Sequence, residues 1–333
     1  MKILIVKIAA IGDVVMALPL LTHIRSRYPQ GHITWICGKQ VRPLLNATGL
    51  VDRLISIDES SLYKGSAFRR FWSVLRVWFQ IAGGSYDLCI TGHPDPRYRW
   101  ISFPIFCKER RFFDRLDGRS NPVPGRYHAN EYFRLLTGME ISENTAPVFP
   151  KLVLPLARKL ADRPVVAISP GGAKNALSDD ALRRWPIDSY AQLAEKLSAL
   201  PVEIALTGGE SDSWVKSYFR AIPHIDMIGK LDLLDFIAFL KHCNLLITHD
   251  SGPLHLAKLA GCPVIALFGP TMPSEKVSPG EKIKVLWGGE RLPCRPCYDG
   301  KAYANCKNNL CLRSISSETV FNEAVRALGD FSC

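Results

Sequence analysis

The residues best suited by type and spacing to do chemistry lie within 243–271, CNLLITHDSGPLHLAKLAGCPVIALFGPT. An apolar run ends in His249-Asp250-Ser251-Gly252, and a short helical pattern starts at Pro253 and stops at Gly261. Pro at the first helical position and Gly just past the last are helix punctuation, and 264–268 reads as a second buried strand. In such a βαβ unit the turn lies at the carboxyl end of its strand. There the helix start offers unpaired N–H groups and the positive end of its dipole to an anion. Ser251 and Gly252 are small enough to let a phosphate reach the backbone, and His255 falls one turn into the helix. The pattern predicts a phosphate or carboxylate site; in the plainer alternative Asp250 and Ser251 are helix caps.

Three further sets of residues could take part. Asp13 follows the β-branched run 2–8 (KILIVKI) and a short turn. It is either the N-cap of the next helix or a carboxylate at the strand edge where open α/β sheets bind ligands. Strand 165–169 ends in Pro170-Gly171-Gly172-Ala173-Lys174, and strand 202–206 ends in Thr207-Gly208-Gly209-Glu210. With the turn at 249–252, three successive strands of this half end in small polar turns on one edge, which predicts a shared pocket. Cys294, Cys297, Cys306 and Cys311 stand close enough together to suggest a structural Zn or Fe site, with free thiols as the alternative.

These residues need an alternating scaffold to hold them. Strands are expected over 2–8, 32–37, 53–57 and 86–91 in the first half, then over 165–169, 202–206, near 227, 245–248 and 264–268, separated by helical or loop segments. Such alternation argues for doubly wound α/β layers. The Pro-rich stretch 143–163 reads as a linker, giving domains 1–155 and 156–333, the second carrying the Cys-rich segment 294–311 and a closing helix over 317–328. The spacing after strand one is not the glycine fingerprint of dinucleotide folds, so no nicotinamide or flavin is expected. Segment 68–82 (FRRFWSVLRVWFQIA) is apolar around most of its circumference, with Arg69, Ser73, Arg76 and Gln80 on one narrow stripe. It is expected to pack inside the domain, the other choice being a membrane surface.

With 333 residues, 47% hydrophobic and 22% charged, the chain has the composition of a globular protein of two domains. No apolar run approaches the ~18 residues of a membrane span, and Lys7, Gly12 and Asp13 interrupt what could pass for a signal peptide. A cytoplasmic protein with reduced cysteines is expected. The net charge of +11 implies an anionic partner. The basic series that includes Lys64, Arg97 and Arg119 comes with no recognisable nucleic-acid motif, so an anionic acceptor is expected and nucleic acid is not.

Residues 2–18 (KILIVKIAAIGDVVMAL), the Gly171-Gly172 turn followed by Arg184-Trp185-Pro186, and the stretch from Thr248 to Thr271 together resemble glycosyltransferase family 9, the ADP-heptose:lipopolysaccharide heptosyltransferases. The resemblance runs essentially end to end. It implies the GT-B architecture, two Rossmann-like domains facing across a cleft, with acceptor on the N-terminal and nucleotide-sugar on the C-terminal domain. By position it makes Asp13 the general base of an inverting transfer and Arg183 a clamp on the departing diphosphate. Arg183 stands where well-known members have Lys, and Lys174 could take that role instead. Gly171, Gly172, Asp250, Ser251, Gly252 and His255 match the donor element, with Ser251 where well-known members have Thr, and Glu210 matches the acidic residue on the nucleotide ribose. Lys64, Arg97 and Arg119 fall to the acceptor side. The implied donor is ADP-heptose and the implied acceptor an anionic glycolipid of the lipopolysaccharide core, met at the cytoplasmic face of the inner membrane. A protein Ser/Thr acceptor and a non-catalytic sugar-nucleotide or nucleic-acid binder are the alternatives. No DxD-type carboxylate pair is present, and no cofactor is expected for the chemistry. The cysteine cluster resembles one by which some relatives hold iron.

Overall fold

The computed structural model describes residues 1–114, 122–138, 147–156, 161–174, 179–278, 280–298 and 303–329, so Arg119 lies outside them. The chain divides after Val153 into two compact units.

The first unit is a five-stranded parallel sheet of β1 (Lys2–Val6), β2 (His32–Gly38), β3 (Arg53–Ile57), β4 (Ser85–Thr91) and β5 (Phe106–Phe112), ordered β3-β2-β1-β4-β5. Strand β1 is buried over Ile3, Leu4, Ile5 and Val6, as a β-branched run covered on both faces must be. Each such side chain contributes roughly 1.5–3 kcal/mol on burial. The order reverses between β1 and β4, which makes their carboxyl ends the topological switch point where open α/β sheets take ligands.

The second unit is a six-stranded parallel sheet of β6 (Val165–Ser169), β7 (Glu203–Leu206), β8 (Ile225–Asp226), β9 (Leu245–His249), β10 (Val264–Phe268) and β11 (Ile283–Trp287). Its order, β11-β10-β9-β6-β7-β8, is that of a complete Rossmann sheet. The switch point falls between β6 and β9, so the turns after these two strands are neighbours. One face of the sheet packs on Trp185, Tyr190, Phe219 and the closing helix Ser317–Leu328; the other packs on Phe239, Leu240 and Leu254. Caps fall where side-chain chemistry allows. Asp232 accepts from the Leu234 and Asp235 N–H groups, and Ser316 from that of Thr319.

Strands β5 and β11 were not anticipated. Strand β5, FCKERRF, is a charged and largely exposed edge strand, with none of the apolar alternation that announces a half-buried strand. Between β7 and β8 the chain holds a 3-10 helix over Glu210–Phe219. The helix Ala67–Ile81 corrects the expectation that it packs inside. Only Val77 and Ile81 are buried, and Phe68, Phe71, Trp72 and Phe79 are exposed. Among the described residues no helix is long and apolar enough to cross a membrane.

Candidate active site

At the switch point of the first sheet the chain leaves β1 through a turn into the helix Ile11–Ala17. That helix is capped by Ala10, with no side-chain bond, so Asp13 is not its N-cap. Asp13 lies within the first turn, and its Oδ2 is 3.0 Å from Nζ of Lys7. Lys7 is almost wholly buried, whereas Asp13 keeps more than a third of its side-chain surface exposed. Lys7 lies beneath, 5.7 Å from the centre of the Tyr132 ring, and its carbonyl accepts from Trp35 Nε1. A cation that deep is tolerated when it has a charged partner and an aromatic face.

The turn after β4 brings His93 to the same place. Its Nε2 accepts from the Ile8 N–H at 3.0 Å, which fixes the tautomer. Its ring stacks on Tyr98 at 3.8 Å, and Tyr98 bonds the Tyr63 hydroxyl at 2.7 Å. Burial, reinforced by Lys7 and only partly offset by Asp13, holds His93 well below the usual imidazole range, so it is a neutral scaffold residue. Of the basic positions assigned to the acceptor side, Lys64 is exposed and closes the helix Glu59–Tyr63. Arg97 is turned onto Asp95 by both Nε and Nη2 and is largely exposed. Their neighbours Tyr63 and Tyr98, which sequence reasoning passed over, are joined through their hydroxyls, and Tyr98 stacks on His93.

In the second unit the Gly171-Gly172 turn and the Asp250-Ser251 turn meet. Gly172 has φ +77°, and a Cβ there would lie 3.5 Å from Cβ of Ser251. At Gly171 a Cβ would fall 2.5 Å from Cγ of Asp212, so the carboxylate sits where any side chain would go. Asp212, buried and unanticipated, accepts from the Gly172 N–H and from the Gly209 N–H, both at 2.9 Å. One carboxylate thereby holds the glycine turns of two adjacent strands. Its sequence signal is its position at N3 of a helix start that follows Gly208-Gly209. Between the same strands the hydroxyls of Ser169 and Thr207 are 2.5 Å apart. Lys174 and Glu210 are exposed at the ends of their turns.

Ser251 occupies the N-cap position of the helix Gly252–Ala260 yet gives it no side-chain bond. Its hydroxyl donates to the carbonyl of His249 at 3.2 Å. Asp250 does not cap either. Its Oδ2 accepts from the Thr271 hydroxyl at 2.8 Å and lies 3.6 Å from Nη1 of Arg183. The helix start therefore keeps the N–H groups and dipole that favour an anion.

Arg183 is pinned on its other side by Asp180 at 2.8 Å, and its Nε is buried with no partner among the described residues. Burial works against its charge, but Asp250, Tyr303 and Asp180 outweigh it and hold the guanidinium more firmly protonated than usual. Burial likewise works against the Asp250 carboxylate, and Arg183, Lys276, His255 and the Thr271 hydroxyl more than compensate. His255 is buried one turn into the helix. His249 is lowered to about 3, by burial first and by Arg183 next, and its Nδ1 meets the Tyr190 hydroxyl at 3.1 Å.

No group of three or more side chains that could hold a metal ion occurs among the described residues. Cys294 is exposed, while the Cys311 sulfur is turned against Gly269. Hydrogen bonds hold the segment in place. The Cys297 and Tyr298 N–H groups donate to the Pro270 carbonyl, and Asn309 Nδ2 donates to that of Arg184 at 2.7 Å. The Zn or Fe expectation therefore finds no support among the described residues; what the segment supplies is Tyr303, close enough to act on the charge of Arg183.

Residues 133–307, just over half of the chain, match the model of glycosyltransferase family 9 (heptosyltransferase). Lipooligosaccharide heptosyltransferase 2 of Haemophilus influenzae is 25% identical over 320 residues, covering 86% of this chain and 88% of its own. A glycosyltransferase family 9 structure from Veillonella parvula superposes with a TM-score of 0.74 at 23% identity, covering 98% of this chain and 97% of its own. The structure of E. coli heptosyltransferase WaaC with ADP-2-deoxy-2-fluoro heptose gives a TM-score of 0.71 at 15% identity over 98% and 99% of the two chains. The last two likenesses bear on the fold, which is the GT-B type of two Rossmann-like domains. On the family match, the chain is a glycosyltransferase and belongs to family 9, the heptosyltransferases.

Proposed function

We propose that this protein moves a heptose from ADP-heptose to a hydroxyl of a lipopolysaccharide core acceptor with inversion at the anomeric carbon. The observation that carries the reading is Arg183. A buried guanidinium with an unused Nε stands beside a helix start that no side chain caps. A diphosphate, with its spread negative charge, is the ligand that uses both.

The chemistry divides between the domains. In the N-terminal domain Asp13, oriented by Lys7, accepts the acceptor hydroxyl proton as that oxygen forms its bond to the anomeric carbon. The bond from the anomeric carbon to the diphosphate oxygen breaks at the same time, and its electron pair leaves on the diphosphate. In the C-terminal domain Arg183, the N–H groups that open the helix Gly252–Ala260, and Lys174 offset that charge. Asp250, itself an anion, does not touch the diphosphate charge directly; it positions Arg183 and Thr271. Gly171 and Gly172 let the phosphates approach the backbone, His255 backs the helix start, and Glu210 takes the ribose hydroxyls. Lys64 and Arg97, with Arg119, belong to the acceptor side, where an anionic glycolipid core at the cytoplasmic face of a membrane is the partner. No step of this scheme calls on a metal ion.

A thermal-shift series with ADP, UDP, GDP and CDP tests the donor assignment. Binding to the folded state raises the melting temperature by mass action, so ADP is expected to give the largest rise. An equal or larger rise with another diphosphate overturns the assignment.

A further inference from the structure

We infer that the outward face of the helix Ala67–Ile81 is a docking surface for an anionic lipid bilayer. The helix has two apolar faces on opposite sides. One, with the buried Val77 and Ile81, seats it on the domain. The other carries Phe68, Phe71, Trp72, Leu75 and Phe79, which at spacings of three, four, seven and eleven residues lie along one line of the helix. Phe68 is 69% exposed and Phe79 is 74% exposed. The aromatic surface continues off the helix, because Trp78 packs on Phe103 with ring centres 5.9 Å apart, and Phe103 packs on Trp100 at 5.3 Å. Trp78 Nε1 donates to the Trp100 carbonyl at 2.9 Å, which fixes the two pieces to each other. Trp100 and Phe103 are each 60% exposed. A patch of this kind on a soluble domain marks a surface that something covers.

Charge identifies what covers it. The helix contains three arginines and no carboxylate. Arg69 and Arg76 stand on the stripe that borders the aromatic line, exposed and without an acidic partner among the described residues. Among the described residues the Arg70 side chain donates only to the Gly65 carbonyl. A second copy of the chain seated on this face would bring two sets of uncompensated arginines together. A bilayer that contains acidic phospholipid meets both requirements: aromatic rings enter the boundary between headgroups and acyl chains, and the arginines reach the phosphates. The surface serves the glycolipid reading of the acceptor and rests on it for its purpose. The binding itself needs no acceptor.

The test is flotation of the full chain with vesicles of phosphatidylcholine alone and of phosphatidylcholine mixed with phosphatidylglycerol. Binding is expected only to the mixed vesicles and is expected to weaken as salt is raised. Arg69→Glu and Arg76→Glu should each weaken it about fivefold or more, and Phe68→Ser with Phe79→Ser should abolish flotation. Transfer to a soluble, delipidated acceptor should be unchanged in all these variants, which separates loss of docking from loss of fold or of donor chemistry. No flotation of the wild type, or equal flotation by the variants, overturns the proposal. So does a dimer in solution that the Phe79→Ser change dissociates. If the wild type floats but transfers no sugar to the soluble acceptor, the docking surface stands and the proposed function falls.

Discussion

The Lys7 ammonium lies 3.0 Å from Oδ2 of Asp13, one buried and the other open to solvent. The pair places a carboxylate at the switch point of the first sheet and aims it from beneath. Lys7→Met should leave the fold and ADP affinity intact while lowering kcat on the order of tenfold or more, since the base loses its orientation but keeps its chemistry. Steady-state kinetics with a parallel ADP titration checks this. Unchanged kcat would show that Lys7 only fills the core.

Arg183→Ala should weaken ADP binding at least tenfold and destabilise the C-terminal domain, because Asp180 and Asp250 lose the cation that offsets them. Arg183→Lys retains the charge but not the planar fork, so it should restore the melting temperature more fully than the affinity. Calorimetric titration and melting curves separate the two effects; equal ADP affinity in all three proteins would remove Arg183 from the donor site.

Asp212 ties Gly172 to Gly209 through its two carboxylate oxygens. Asp212→Ala leaves both N–H groups without that partner and should cost about 1–3 kcal/mol of stability. It should also raise KM for the donor with a smaller change in kcat, as expected when a binding loop loses its brace. A stability loss with an unaltered KM would confine Asp212 to folding.

Stability should fall toward acid pH. His249 is neutral in the fold, its pKa lowered from 6.5 to about 3 by burial. Between those values the unfolded chain binds the proton that the folded chain refuses, so stability rises with pH through that window and is fully present above about 6.5. The loss on acidification is of the order of a few kcal/mol. His249→Gln should flatten that limb of the pH–stability curve, read from denaturant melts; an unchanged limb would contradict a neutral buried imidazole.

Much of this was legible in the sequence, for physical reasons that also mark where it was not. Strands such as β1, β6 and β10 are apolar runs buried along their length, and glycines mark the turns after β6 and β10. Asp13 was legible as a residue at the edge of β1, but Lys7 was read only as one of the residues that interrupt a would-be signal peptide, and only the fold shows that it is the partner of Asp13. Asp212 was hidden because a brace between two turns leaves no periodic signal. Edge strand β5 shows polar residues to solvent and so resembles a loop. The helix Ala67–Ile81 misled because hydrophobicity around most of a helix implies enclosure, whereas here one face is seated on the domain and the opposite face is exposed. The cysteine spacing suggested ligands, but spacing says nothing of where each sulfur points.

The most direct measurement of the central claim is product formation, followed by mass spectrometry, when ADP-heptose and a delipidated lipopolysaccharide core are incubated with the wild type and with Asp13→Asn. The wild type should release ADP and add one heptose to the acceptor. The variant should bind ADP equally well and turn over about 10²–10⁴-fold more slowly. A wild type that leaves ADP-heptose intact, or an Asp13→Asn variant that matches it in rate, would contradict the account.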